Sequence, residues 1–337
     1  MKSILVVLPN WFGETLFVTP FLRALHLQQP GALLTTLGRP ACREILLHHP
    51  AVHELLDLDG SGPGAGWRAL QAVRRRRFDS AYILRRSLSR TALLAMAGVR
   101  ERIGFENSKS GWLLTRRVAP AREPVHKALS YLPLLGGDIP APSAASFDYT
   151  VSEEERAQAR RLLEPAVPAG ARLVILHPGA NWSHKRWPAE RFGALGEALA
   201  AAQHARVAVT GSPDDAALAA SVQKAMRQPA MVLAGRTSLR ELAACLEQAA
   251  LVVSNDTGIL HLAAALRRPL VGLYGPTSPA LTGPLGDPAR ITVLHHADAC
   301  PQIPCLRPEQ GSEHPGMASI TVDEAYDAAC KLLDRHG

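Results

Sequence analysis

The sequence predicts an α/β protein built as two doubly wound halves, each a parallel sheet with helices on both faces. Three observations predict it. Short apolar runs alternate with segments of helical spacing along most of the 337-residue chain, as in consecutive βαβ units. A Gly-, Pro- and Ser-rich stretch, LGGDIPAPSAASFDYTVS around 135–150, divides that alternation into two runs of similar size. The composition, 47% hydrophobic and 20% charged, is that of a globular chain long enough to bury two cores. The expected domains are 1–165 and 166–337, with the last helix a candidate to pack back on the first domain.

The elements follow in order. SILVVLP (3–9) is an unbroken apolar run and reads as a buried strand. GETLFVTPFLRALHLQ (13–28) has helical spacing; ALLTTLG (32–38), VHELLDL (52–58) and FDSAYIL (78–84) read as strands. Between them, PACREILLHH (40–49), WRALQAVRRRR (67–77) and SRTALLAMAGV (89–99) read as helices. The arginine run at 74–77 closes its helix, where cations suit the macrodipole; a membrane or polyanion contact is the other reading. After the divide, Ser152 with Glu155 three residues on marks a helix start. The second run reads as strands at 171–179, 205–211 and 230–235, with helices at 189–202, 214–226 and 238–249. LVVSND, GILHLAAAL, PLVGLYGP and the amphipathic TVDEAYDAACKLLDRH complete it.

Charge and cysteine content narrow the function. The net charge of +7 suits an anionic partner such as nucleic acid, lipid or a phosphorylated substrate. Aromatic residues are only 5% and do not interleave with the basic ones, which argues against a single-strand nucleic-acid groove. Five cysteines, an odd number, do not suggest a disulfide framework. Cys42, Cys245 and Cys330 lie in apolar helical contexts; Cys300 and Cys305 make a weak zinc motif, because no second close pair follows. No apolar run is long enough to span a bilayer, and the N-terminal run is too short for a signal peptide; a cytoplasmic protein is expected.

Four strand ends carry chemistry. After LVVS, Asp256-Thr257-Gly258 opens a helix with His261 one turn in. Free amides and the dipole at such a start can hold a phosphate, although Asp is equally an ordinary N-cap. HPGANWSHKRWP (177–188) places a tight Gly turn at another strand end, with Lys185 as a point charge suited to phosphate. VTGSPDD (209–215) puts Asp214 and Asp215 at a helix start, as ribose ligands or as caps. No G-x-G-x-x-G follows a strand and there is no G-x-x-x-x-G-K-S/T, so neither NAD nor a P-loop ATPase is indicated. In the first half, Glu14 follows the first strand beside Gly13, with Trp11 and Phe12 adjacent. A carboxylate there is a general-base candidate or a first-turn acid favoured by the dipole.

NWFGETLFVTPFLRAL, HPGANWSHKRWP, GSPDD and SNDTGILHLAAALRRPLVGLYGPTSP occur in this order. Together they resemble family 9 glycosyltransferases, the lipopolysaccharide heptosyltransferases, and among these the heptosyltransferase II group. The resemblance covers almost the whole chain. It implies a GT-B fold, two Rossmann-like domains facing a central cleft, with the acceptor on the first and the nucleotide sugar on the second. It implies inverting transfer of L-glycero-D-manno-heptose from ADP-heptose to the lipid A-core oligosaccharide. Glu14 is the implied base, at a position where the family more often has Asp. Asn181, Lys185, Asp215, Thr237, Asp256, Thr257, Gly258 and His261 are the implied nucleotide-sugar contacts, with Lys185 and the 256–258 amides on the diphosphate. Trp11, Gly13, Arg39, Arg85, Arg86 and Ser87 are the implied acceptor contacts. No metal or other cofactor is expected, since no Asp-x-Asp pair of metal-binding type stands at a suitable strand end. A monomer with transient contact to the inner membrane surface, on its cytoplasmic side, is expected; nucleic acid is not. The stretch after YGPT, CPQIPCLRPEQGSEHPGM, is poorer in cysteine than in many relatives.

Three alternatives stand beside this reading. Another family 9 transferase would use a different nucleotide sugar or acceptor. A sugar-nucleotide epimerase of the same fold needs further carboxylates in the second half, which cannot be singled out. A catalytically silent nucleotide-sugar or glycolipid binder has the same fold but no use for an intact Glu14, Lys185 and Asp256.

Overall fold

A computed structural model describes residues 1–10, 12–57, 64–168, 170–300, 303–305 and 313–336. The chain divides into two compact units, Met1–Thr150 and Val151–Gly337. Trp11 lies outside the described residues.

In unit 1, strands β1 (Ser3–Val7), β2 (Leu33–Gly38), β3 (Glu54–Asp57), β4 (Ser80–Ile83), β5 (Glu101–Phe105) and β6 (Arg116–Val118) form one parallel sheet in the order 3-2-1-4-5-6. Its helices are α1 (Phe12–Leu16), α2 (Thr19–Gln28), α3 (Pro40–Leu46), α4 (Ala65–Arg76) and α5 (Leu88–Met96). The single helix expected at 13–28 is two. Pro20 has no amide proton to continue the ladder from Leu16, so the chain turns at Val18 and restarts, with Pro20 in the first turn of α2 where its missing donor costs nothing. Strands β5 and β6 have no counterpart in the sequence reading: GluArgIleGlyPhe and ArgArgVal are too polar to stand out as apolar runs.

In unit 2, strands β7 (Leu173–His177), β8 (Arg206–Val209), β9 (Ala230–Val232), β10 (Leu251–Asn255), β11 (Leu270–Tyr274) and β12 (Ile291–His295) form a second parallel sheet, in the order 12-11-10-7-8-9. Read from its own first strand this is again 3-2-1-4-5-6. The helices are α6 (Glu153–Leu163), α7 (Ala189–Ala202), α8 (Ala216–Lys224), α9 (Leu239–Glu247), α10 (Gly258–Ala265), α11 (Pro279–Thr282), α12 (Pro315–Ala318) and α13 (Val322–His336). Ser152 and Glu155 form the expected capping box of α6. That helix belongs to unit 2, not to a first domain reaching 165, because it packs along α9 through two ion pairs, Arg240 with Glu155 at 2.6 Å and Arg156 with Glu247 at 2.6 Å. The terminal helix α13 lies on α7 and the β10–β11 face of its own unit, burying Ala325, Ala329, Leu332 and Leu333.

Each core is apolar on both faces of its sheet, as parallel sheets require. In unit 2, Trp187 anchors it: the ring is fully buried, meets Phe192 edge-on at 5.1 Å, and donates its indole N–H to the Ile320 carbonyl at 3.0 Å.

Candidate active site

In doubly wound sheets ligands sit beyond the carboxyl ends of the strands, where the strand order reverses. The reversal falls between β1 and β4 in unit 1, and between β7 and β10 in unit 2.

Past β1, the turn to α1 carries Gly13 and Glu14 in the helix's first residues, both half-buried. Lys127 Nζ forms an ion pair with Glu14 Oε1, which fixes the direction of the carboxylate. The Tyr131 hydroxyl lies near enough for the Glu14 charge to add to burial in pushing its pKa up. Past β4, Arg85 and Arg86 are exposed and Ser87 stands at the N-cap position of α5, its Oγ 3.2 Å from Ser89 Oγ. Arg39 is exposed at the N-cap position of α3. A residue that the sequence did not single out joins them. Arg90 donates to the Leu8 carbonyl and, through Nη2, to Asn10 Oδ1 at 2.5 Å, clamping the end of β1. Burial lowers its pKa, and the charges of Arg85 and Arg39 lower it further. The guanidiniums of Arg39, Arg85 and Arg90 are therefore near enough to repel one another at these strand ends.

In unit 2 the converging group is denser. Lys185 Nζ is 2.6 Å from Asp256 Oδ2, and Thr277 Oγ1 donates to the same oxygen at 2.7 Å. His261 Nε2 stands 3.9 Å from Oδ1. Burial raises the Asp256 pKa, but the Lys185 charge, His261 and the two hydrogen bonds outweigh it, so the carboxyl is held below its ordinary range. Tyr274 is also buried and goes the other way: burial and the Asp256 charge push its hydroxyl well up. Lys185 also lies over the Trp182 ring, 5.5 Å from its centroid. Thr257 caps α10, its side chain accepting from Ile259 N at 3.3 Å, and Gly258 is the first helical residue. Asn255 staples the loop between β7 and α7 to the end of β10. Its Oδ1 accepts from Trp187 N at 3.1 Å and its Nδ2 donates to the Pro178 carbonyl at 2.8 Å. This holds the Lys185 turn against the end of β10.

Other expected contacts lie at the edge of this group. Asn181 is exposed in the turn before Lys185, and Thr237 is half-buried just before Ser238, the cap of α9. Asp215 is engaged as a cap: its Oδ2 accepts from Ser212 N at 3.0 Å and Ser212 Oγ at 2.6 Å, while Arg186 Nη2 lies 3.5 Å from Oδ1. A Cβ on Gly179 would fall 2.6 Å from that carboxylate, which is why this turn needs glycine. His261 is buried against Asp256. Lys127, Arg90, Asn255 and Thr277 join the candidate site without having been singled out by the sequence. Asn255 and Thr277 sit inside quoted motifs, SNDTG and YGPTSP; Lys127 and Arg90 lie in stretches with no local signature.

The family model for glycosyltransferase family 9 (heptosyltransferase) matches residues 67–310. The chain belongs to glycosyltransferase family 9. It is a heptosyl-transferring glycosyltransferase with a GT-B, α/β fold. Over 98% of the family 9 chain and 99% of the relative, it is 28% identical to lipooligosaccharide heptosyltransferase 2 of Haemophilus influenzae. The solved structure of E. coli ADP-heptose lipopolysaccharide heptosyltransferase II superposes with a TM-score of 0.84 at 26% identity, covering 99% of both chains. A family 9 glycosyltransferase from Veillonella parvula shares the fold at a TM-score of 0.86 and 22% identity, covering 99% of this chain and 97% of that one.

Proposed function

We propose that this chain moves L-glycero-D-manno-heptose from ADP-heptose to a hydroxyl of the inner core of lipopolysaccharide, with inversion, as a heptosyltransferase II. The observation that carries the reading is the Lys185, Asp256 and Thr277 cluster at the start of α10. A cation fixed by a buried carboxylate, next to a helix N-terminus, is a preorganised place for a diphosphate. The names of the relatives support the sugar and the acceptor class.

In this reading unit 1 binds the acceptor and unit 2 the nucleotide sugar. Glu14 takes the proton from the acceptor hydroxyl as its oxygen bonds to the anomeric carbon. The bond from that carbon to the diphosphate breaks, and its electron pair leaves with ADP. Lys185 and the amides after Asp256 take up the growing charge on the leaving group. Asp256 acts through Lys185 as a positioning residue. Arg39, Arg85 and Arg90 suit phosphate and carboxylate groups on an anionic core. Asn181 and Thr237 are proposed at the nucleotide end. The enzyme works as a monomer in peripheral contact with the cytoplasmic face of the inner membrane.

The test uses purified protein, ADP-heptose, and core acceptors carrying either no heptose or one. Elongation of the one-heptose acceptor is expected, with Glu14→Gln losing roughly a hundredfold or more in turnover while ADP titrates as before. Unchanged turnover in that variant would remove Glu14 as the base. ADP binding with no transfer to any acceptor would favour a silent binding protein.

A further inference from the structure

Cys300, Cys305 and His314 each bring one ligand atom within 4.8 Å of the other two. The sequence motif is a C-x4-C pair followed by a histidine after eight residues, a pair spacing found in zinc sites. The pair alone is a weak motif for want of a second close pair; folding supplies the third donor instead. His314 is only 3% exposed, and its Nε2 is buried with no hydrogen-bond partner. A buried polar atom of that kind needs an explanation, and a ligand beside two thiols provides one. Both cysteines are free and half-buried.

We propose that these three residues bind a divalent zinc-type metal ion, which ties Cys300, Cys305 and His314 to one another beside the end of β11. A tetrahedral zinc spaces sulfur and nitrogen ligands by roughly 3.5–3.8 Å, so the group closes on an ion with movement of about an ångström. The two thiols lose their protons on binding. Ligation through Nε2 moves the ring proton to Nδ1 and gives up the hydrogen bond from Gly316 N, 3.1 Å away, in exchange for metal–ligand bonds. Three protein donors leave one tetrahedral position to water, the ligand count of an open site rather than a closed one.

The location gives the ion its effect. Cys305 N donates to the Pro276 carbonyl at 2.7 Å, and the next residue, Thr277, holds Asp256. A Cβ on Gly275 would meet Met317 Cγ at 2.5 Å and His314 Nδ1 at 3.2 Å, so the His314 turn rests directly on the strand end. The metal stands behind the residues that position Lys185 and touches no reacting atom in the proposed transfer.

The experiment uses full-length protein with its affinity tag removed, since a histidine tag binds metal itself. It is stripped with chelator, reconstituted with zinc or cobalt(II), and dialysed. One metal per chain is expected, with the thiolate charge-transfer and d–d bands of tetrahedral cobalt. Cys300→Ser, Cys305→Ser and His314→Ala should each abolish retention, whereas Cys330→Ser keeps it. Circular dichroism confirms that each variant is folded. Wild-type protein that retains no more metal than the Cys300→Ser/Cys305→Ser double variant, or a cobalt complex without thiolate bands, overturns the proposal. These readouts are independent of heptosyl transfer.

Discussion

Asp256 has two carboxylate oxygens and three neighbours directed at them: Lys185, Thr277 and His261. A buried ion pair is costly to break from one side, because the surviving charge stays buried. Lys185→Ala is therefore expected to destabilise unit 2 by about 3 kcal/mol and to weaken ADP binding, read by urea unfolding and by ADP titration. Glu14→Gln should leave both unchanged, which separates a leaving-group residue from a base. His177 supplies a pH prediction. Burial lowers its pKa to about 4 from 6.5, against a small opposing effect of Asp215, and its Nδ1 sits 3.0 Å from Thr210 Oγ1. The unfolded chain takes up this proton first. The contribution to stability is thus complete above about 6.5 and is lost as pH falls towards 4, by about 3 kcal/mol. His49 is lowered to about 4 in unit 1, also chiefly by burial. Unfolding midpoints followed over this window should fall less steeply in His177→Gln, with the His49 part remaining.

At the scale of elements, one side chain couples the two ends of the β7–α7 loop to a strand. Asn255 ends β10 yet bonds Trp187 N and the Pro178 carbonyl. Asn255→Ala leaves a donor and an acceptor buried without partners, at about 2–4 kcal/mol for the pair. It also frees the turn that carries Lys185. A lower unfolding midpoint together with weaker ADP binding is expected; a drop in stability with ADP affinity intact would show that the staple does not position the lysine. The break between α1 and α2 is a related device. It leaves Glu14 on a short helix of its own, close to the end of β1 and paired with Lys127.

At the scale of the molecule, charge and exposed apolar surface bear on where the enzyme works. No helix among the described residues is long and apolar enough to cross a membrane. Unit 1 nevertheless exposes Trp67 on α4, Leu88 and Met96 on α5, and Trp112 in the turn at 111–113, on elements that contact one another in sequence. Arg74, Arg75 and Arg77 are exposed at the end of α4, while Arg76 pairs with Glu54. Aromatic side chains beside arginines suit an anionic interface. Cosedimentation with phosphatidylglycerol vesicles is expected, weakening as salt rises and falling further in Trp67→Ser/Trp112→Ser. Equal binding to neutral vesicles would count against this contact.

The sequence by itself determined the alternation of strands and helices, the helix starts at Ser152 and within 256–258, and the family motifs; the cap of the second is Thr257 rather than Asp256, which instead holds Lys185. All of these are local: apolar period, caps and short turns are written within a dozen residues. It left out β5 and β6, whose polar residues find their place only as late strands of a sheet already formed, and β12, the edge strand of the second sheet. The tertiary structure alone decided which side chains meet. Lys127 reaches Glu14 across more than a hundred residues, Lys185 reaches Asp256, and His314 comes up beside Cys300 and Cys305. The physical reason is that a parallel sheet brings distant strand ends to one edge, and no periodicity records which loops will share it.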